Sequence, residues 1–183
     1  TGIDAISHAI ETWVCNRRNP FSAIFSREAF RLLARAFPRV LGQPDDLDAR
    51  SEMQLGAAWA GAAIENSMLG AAHAMANPLT ARFGMVHGQA VGITLPVVIR
   101  FNAQSVEGEF QQLVSELGIE PGTAGSSGKS LADWVTGLVR KAGLATDLSD
   151  LGLDENSIAG LAEEAARQWT AGFNPVPVDA AGF

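Results

Sequence analysis

Apolar residues return along this chain at intervals of three and four, the repeat that lines one side of a helix. Ile3, Ile6, Ile10, Trp13 and Val14 make the first such stripe, and Asp4, His8 and Glu11 make a polar one beside it. Asn19-Pro20 predicts a helix start, a capping side chain followed by a residue that needs no N–H. Phe21, Ile24, Phe25, Leu32, Leu33 and Ala36 carry the period to Phe37 as core positions, and Pro38 is expected to kink or end the helix. Gly42 to Asp46 reads as a turn, with Asp46 capping the next helix. Residues 47 to 70 run without proline and are crowded with glycine and alanine. Gly56 and Gly61 each weaken a helix by about 1 kcal/mol relative to alanine. Close packing offsets such a cost, which predicts a central place in a bundle for this helix.

The second half keeps the same period. His73 falls in a short helical segment expected to stop before Pro78, because the residue ahead of a proline is pushed out of the α region. Asn77 is then the expected cap of a segment from Pro78 to Phe83, and Gly84 its end. His87 heads an apolar helix that reaches Phe101, and Ser105 to Leu117 form another that Gly118 ends. Ser130 to Asp133 open a helix in capping-box fashion and Gly143 closes it. Asp154 begins a last helix running to about Gln168, and an extended tail follows Phe173. No stretch alternates convincingly with period two, and no repeat is visible. The pattern predicts an all-α helical bundle, one domain over residues 1–183.

Composition narrows the function. With 47% hydrophobic and 18% charged residues the chain has the balance of a globular core. A net charge of -7 argues against a nucleic-acid partner, which needs clustered lysine and arginine. Cys15 alone permits no intrachain disulfide, and the cytoplasm is the expected compartment. The longest helix-like apolar run, Met53 to Ile64, falls short of the roughly 20 residues that cross a bilayer, so no membrane span is expected. Opening on Thr1 directly into a helix, the sequence reads as a piece of a longer protein. Glu120 to Gly128 reads as a flexible loop. Gly128-Lys129-Ser130 resembles the end of a phosphate-binding loop, but the motif's first glycine would fall on Thr123 and no strand precedes it, so that reading is rejected.

The candidate chemistry lies in three histidines, His8, His73 and His87. Asp4 and His8, four apart, share a helix face. His73 and His87 flank a proline and glycine turn that can bring both imidazoles to one point. Singly, the Asp4 and His8 pair reads better as a surface pair or a capping arrangement, and each of His73 and His87 as a hydrogen-bonded core or surface residue. Together, one carboxylate oxygen and three neutral imidazoles suit Fe(II) or Zn(II), two ions this ligand set separates poorly. Such a site polarises a bound oxygen.

The segments around these residues carry a resemblance. Thr1-Gly2-Ile3-Asp4 with His8 and Glu11, Gly70-Ala71-Ala72-His73 with Asn77-Pro78, His87-Gly88 through Pro96, and Phe101-Asn102 resemble the iron-containing (group III) alcohol dehydrogenases. Leu148 to Gly152 and Asn174-Pro175 extend the likeness, and the spacing D-x3-H followed by H-x13-H is specific as a set. The resemblance implies the helical C-terminal domain of a two-domain dehydrogenase, whose N-terminal α/β domain, absent from this chain, binds NAD(P). It implies metal ligands Asp4, His8, His73 and His87, holding Fe(II) or Zn(II), and a small alcohol or aldehyde substrate whose oxygen the metal holds during hydride transfer. It also implies self-association into a homo-oligomer. Nothing here resembles the nucleotide-binding segment, so this half is expected to bind metal and to catalyse nothing alone.

Two positions depart from the family. Asn77 stands where some members carry a histidine to which proton movement is attributed, so no catalytic residue is assigned. Ile64 stands where members often set an aromatic ring against the substrate, which implies a roomier substrate pocket. Asp4 argues against the related maleylacetate reductases, which typically have asparagine there. Two other readings stand beside this one. One is a helical interaction domain with incidental histidines or a vestigial site; the other is a metal-assisted hydrolase that uses a metal-bound water and no nicotinamide.

Overall fold

The computed structural model describes residues 1–119, 125–149, 152 and 155–183. Among these, seven α-helices follow one another without a strand: α1 Gly2–Val14, α2 Pro20–Gly42, α3 Leu47–Glu65, α4 Ala71–Phe83, α5 His87–Glu116, α6 Ser127–Lys141 and α7 Ile158–Arg167. Short 3₁₀ turns at Glu155–Ser157 and Trp169–Phe173 flank α7. The predicted all-α class holds. The expected loop at Glu120 to Gly128 and the expected start at Asp154 fall largely on residues outside those described.

α1 is the axis of the bundle, enclosed by α2, α3 and α5. The periodicity predicts one buried stripe on it, yet every residue from Ile3 to Val14 except Asp4 and His8 is buried. Small and hydroxyl side chains make this possible. Thr12 Oγ1 lies 2.8 Å from Ser26 Oγ, and Ser7 Oγ donates to the Asp4 carbonyl at 2.6 Å, so neither hydroxyl is buried unpaired.

α2 starts as expected, with Asn19 Oδ1 accepting from the Phe21 and Ser22 amides, each at 3.0 Å. Pro38 does not end it. Ion pairs from Arg35 to Glu52 (2.7 Å) and from Arg39 to Asp46 (2.8 Å) tie the turns around and beyond the proline to α3 and its cap. Leu32, Leu33 and Ala36 are core, but Phe21 and Ile24 are exposed because Ser22 and Ser26 face inward instead.

α3 is not central. Its buried line is Gly56, Ala60 and Ala63, pressed on a neighbour, while Ala57 and Ala58 face outward. A Cβ on Gly56 would lie 2.7 Å from Leu33 Cγ, so this glycine does serve close packing, whereas Gly61 has open space around it. α6 is capped four residues earlier than expected, by Ser126 rather than Ser130, its side chain accepting from the Lys129 amide at 3.2 Å. The two helices expected over residues 87–117 are one, α5, broken only at Val106, where φ −131° and ψ 31° leave the helical region. No helix among the described residues is long and apolar enough to cross a membrane.

Candidate metal centre

Three helices bring the four predicted residues together. Asp4 and His8 are the two positions of α1, after its first residue, that packing leaves partly open. His73 is the third residue of α4 and His87 the first of α5. The start of α5 comes close to the start of α1 because position 88 is glycine: a Cβ there would meet the Thr1 nitrogen at 3.1 Å and Asp4 Cβ at 3.9 Å.

Sequence reasoning misplaced the turn between His73 and His87. α4 does not stop before Pro78 but runs through it to Phe83, and Gly84 closes it at φ 63° as expected. A proline inside a helix costs on the order of 3 kcal/mol; Pro78 and Leu79 are buried, and tertiary packing outweighs that preference. Asn77 is therefore mid-helix and caps nothing. Its side chain donates to Gln168 Oε1 at 3.1 Å, one turn along α4 from His73. Ile64 is half-buried on the last turn of α3.

The Nε2 atoms of His8, His73 and His87 lie 3.3, 3.5 and 3.5 Å from Asp4 Oδ1. Ring centroids of His8 and His73 are 5.0 Å apart, and those of His73 and His87 5.3 Å. Ligand atoms of Asp4, His8 and His73 all fall within 4.8 Å of one another. Two atoms bound tetrahedrally at about 2.1 Å to one Zn(II) stand about 3.4 Å apart, so the three contacts to Asp4 have the length of such edges. Buried side-chain atoms without a hydrogen-bond partner among the described residues are Asp4 Oδ1, His73 Nε2 and Thr170 Oγ1. Two of these three face each other here, and buried polar atoms without partners are uncommon. A cation would satisfy both, and the residues present fit one.

Charge balance agrees. Burial raises the Asp4 carboxyl, but the His73 and His8 rings beside it outweigh burial and hold it far below the usual carboxylate range. Burial alone lowers the His73 imidazole, yet the carboxylates of Glu11 and Asp4 raise it to about 9. For His87 burial lowers the ring, Asp4 offsets this only in part, and the two neighbouring imidazoles push it down further.

Glu11 is the residue that sequence reasoning left without a role. It is 4% exposed, its Oε1 accepts from the Ala72 amide at 2.8 Å, and its Oε2 meets His73 Nδ1. A signal was available, since Glu11 shares the α1 stripe of Asp4 and His8. Gly70 gives α4 no side-chain cap of its own. Asn174 Oδ1 takes the Ala71 amide at 3.3 Å and is itself held by Asn102 Nδ2 at 2.9 Å. A Cβ at position 70 would lie 3.1 Å from both Asn174 Oδ1 and Glu11 Oε1, so both acceptors reach α4 over a bare backbone.

The chain is 32% identical over 178 residues to a 1,3-propanediol dehydrogenase of Klebsiella pneumoniae, covering 96% of this chain and 46% of that protein. It is 31% identical over 180 residues to an NADPH-dependent butanol dehydrogenase of Clostridium saccharobutylicum, with coverage of 96% and 46%. A crystal structure of 1,3-propanediol oxidoreductase superposes with a TM-score of 0.90 at 31% identity, over 99% of this chain and 48% of that one. The chain thus spans about half the length of the relatives it matches. Residues 1–182 match the Fe-containing alcohol dehydrogenase family, C-terminal, and the chain belongs to that family.

Proposed function

We propose that the chain is the metal-binding half of an iron-dependent, NAD(P)-linked alcohol dehydrogenase or aldehyde reductase, with Asp4, His8, His73 and His87 as the ligands. The observation that carries this reading is the facing pair of buried, unpartnered atoms, Asp4 Oδ1 and His73 Nε2, with two further imidazoles at the same distance. Membership in the family supports the redox class, and the relatives above are dehydrogenases rather than hydrolases.

A bound Fe(II), or Zn(II) in its place, supplies Lewis acidity to a substrate oxygen. The protein's own residues do the rest. Asp4 contributes the anionic ligand and His73 the buried one, while the more exposed His87 borders the open side. Asn77 cannot titrate, so proton movement at this place falls to water or to the substrate's surroundings. Ile64 leaves the substrate side wider than an aromatic ring would. The cofactor is held by an N-terminal domain outside this chain, the substrate is a small alcohol or aldehyde, and the protein works as a cytoplasmic homo-oligomer.

Metal analysis by plasma mass spectrometry, on protein purified without chelator, tests the reading beside a His73→Ala/His87→Ala variant. Near-stoichiometric iron or zinc that vanishes in the variant is expected. No retained metal, and no uptake of added Fe(II) or Zn(II), would overturn it.

A further inference from the structure

A ligand set of one carboxylate and three imidazoles has no need of a second carboxylate, yet one is buried directly behind it. Glu11 lies three residues after His8 on α1, and its two oxygens serve two different donors. Oε1 takes the backbone N–H of Ala72, at the N-terminus of α4, where a negative charge is favoured. Oε2 faces His73 Nδ1. An ionised carboxylate only accepts, so the nitrogen opposite it has to carry the proton. When the ring's second proton leaves, to base or to an arriving cation, it leaves from Nε2, whose lone pair then faces Asp4 Oδ1 across 3.5 Å.

We propose that Glu11 is a positioning residue: it fixes His73 in the Nδ1–H tautomer and locks its ring, so that Nε2 is presented as a ligand to a divalent cation. This rests on reading Asp4, His8, His73 and His87 as the metal centre. Carboxylates that hold metal-binding histidines from behind set both tautomer and ring orientation. His87 lacks such a constraint, because its Nδ1 lies 3.4 Å from Thr80 Oγ1, a hydroxyl able to donate or accept.

Capping alone does not account for a glutamate at position 11. Glutamine has the same shape, and its amide oxygen could take the Ala72 N–H equally well. With the oxygen so engaged, its NH₂ turns to His73 Nδ1, which must then offer a lone pair, and the ring's proton moves to Nε2. Cap and tautomer thus respond differently to one substitution. Asn174 supplies the contrast, since it takes the neighbouring Ala71 N–H without touching the ring.

The test compares the 183-residue chain with Glu11→Gln and Asn174→Ala. Long-range ¹H–¹⁵N spectra of the imidazoles, metal-free up to about pH 10 and Zn(II)-loaded, read which nitrogen keeps its proton. Competition with a chromophoric chelator gives Zn(II) affinity. The native chain should show Nδ1–H on His73, while Glu11→Gln stays folded, shifts the proton to Nε2 and loses about 10- to 100-fold in Zn(II) affinity. Asn174→Ala should unfold more easily yet keep the tautomer, with affinity within about threefold. A Glu11→Gln protein that keeps Nδ1–H and its affinity overturns the proposal, as does Asn174→Ala shifting both to the same degree. Should Glu11→Gln not fold, the native spectrum decides alone, and an Nε2–H ring overturns the assignment. A native chain that takes up no Zn(II) defeats the metal reading, while its metal-free spectrum still tests Glu11.

Discussion

Asp4 Oδ1 and His73 Nε2 face each other at 3.5 Å, from different helices, and neither has a hydrogen-bond partner among the described residues. His73 meets Asp4 on one side and Glu11 on the other. Removing it therefore has a consequence for folding that removing His87 does not share.

His73→Ala should lower Zn(II) affinity by more than about 100-fold, because a lost ligand costs more than a lost supporting group. It should also destabilise the metal-free chain by about 3 kcal/mol, since Glu11 is left buried with its charge uncompensated. His87→Ala, whose side chain is 35% exposed, should lose metal affinity with little change in folding stability. Chelator competition and urea unfolding check the pair. Equal stability losses would contradict this account of Glu11.

Stability of the metal-free chain should depend on pH in a defined direction. His73 is raised from 6.5 to about 9, so the folded state holds its proton more tightly than the unfolded state. That contribution is fully present below pH 6.5 and is lost as the pH rises through 9. Asp4 acts oppositely: held far below its ordinary 3.8, it adds stability above that value which is lost in acid. Urea unfolding with excess chelator should give a maximum between these limits, and Zn(II) affinity should climb with pH as the His73 proton is displaced. A flat stability profile from pH 6.5 to 9.5 would contradict the assignment.

Asn174→Ala removes an acceptor from the Ala71 amide and both partners from the Asn102 side chain, all buried. Leaving these groups unsatisfied should cost roughly 2–4 kcal/mol. Gly70→Ala should cost about 1–3 kcal/mol by a different route, forcing apart two acceptors that stand 3.1 Å from the new methyl. Urea denaturation reads both losses. A Gly70→Ala chain as stable as the native one would show that the two acceptors have room to move.

In the two-domain dehydrogenase proposed above, Asn77→His would place a titratable ring one turn along α4 from His73, at the loss of the bond to Gln168. An additional ionisation near neutral pH is expected in the pH profile of kcat. A profile identical to that of the asparagine protein would mean that this position does not communicate with the reacting groups.

Much of this was legible in the chain itself. The caps at Asn19 and Asp46, the left-handed glycine at 84 and the all-helical class follow from short-range chemistry, which a sequence displays directly. The candidate ligands were legible for another reason: three scarce histidines and Asp4 suggest a common site, and the resemblance to the family names all four as ligands. Where tertiary packing opposed a local preference, local rules failed. Pro38 and Pro78 lie inside helices because packing and ion pairs outweigh one missing hydrogen bond. Phe21 and Ile24 face outward while Ser22 and Ser26 are buried, Ser22 satisfied within the helix cap and Ser26 pairing with Thr12 of α1.

The sequence by itself determined the element type and several caps, because each depends on neighbours within a few positions, and its resemblance to the family named the candidate ligands. Only the tertiary structure decided that α1 rather than α3 is the axis, and that Asp4 meets three imidazoles from three helices. It alone turned Glu11 from one more polar position on α1 into the partner of His73, 62 residues away. Such contacts depend on how helices stack, and no local pattern records which face of one helix meets which face of another.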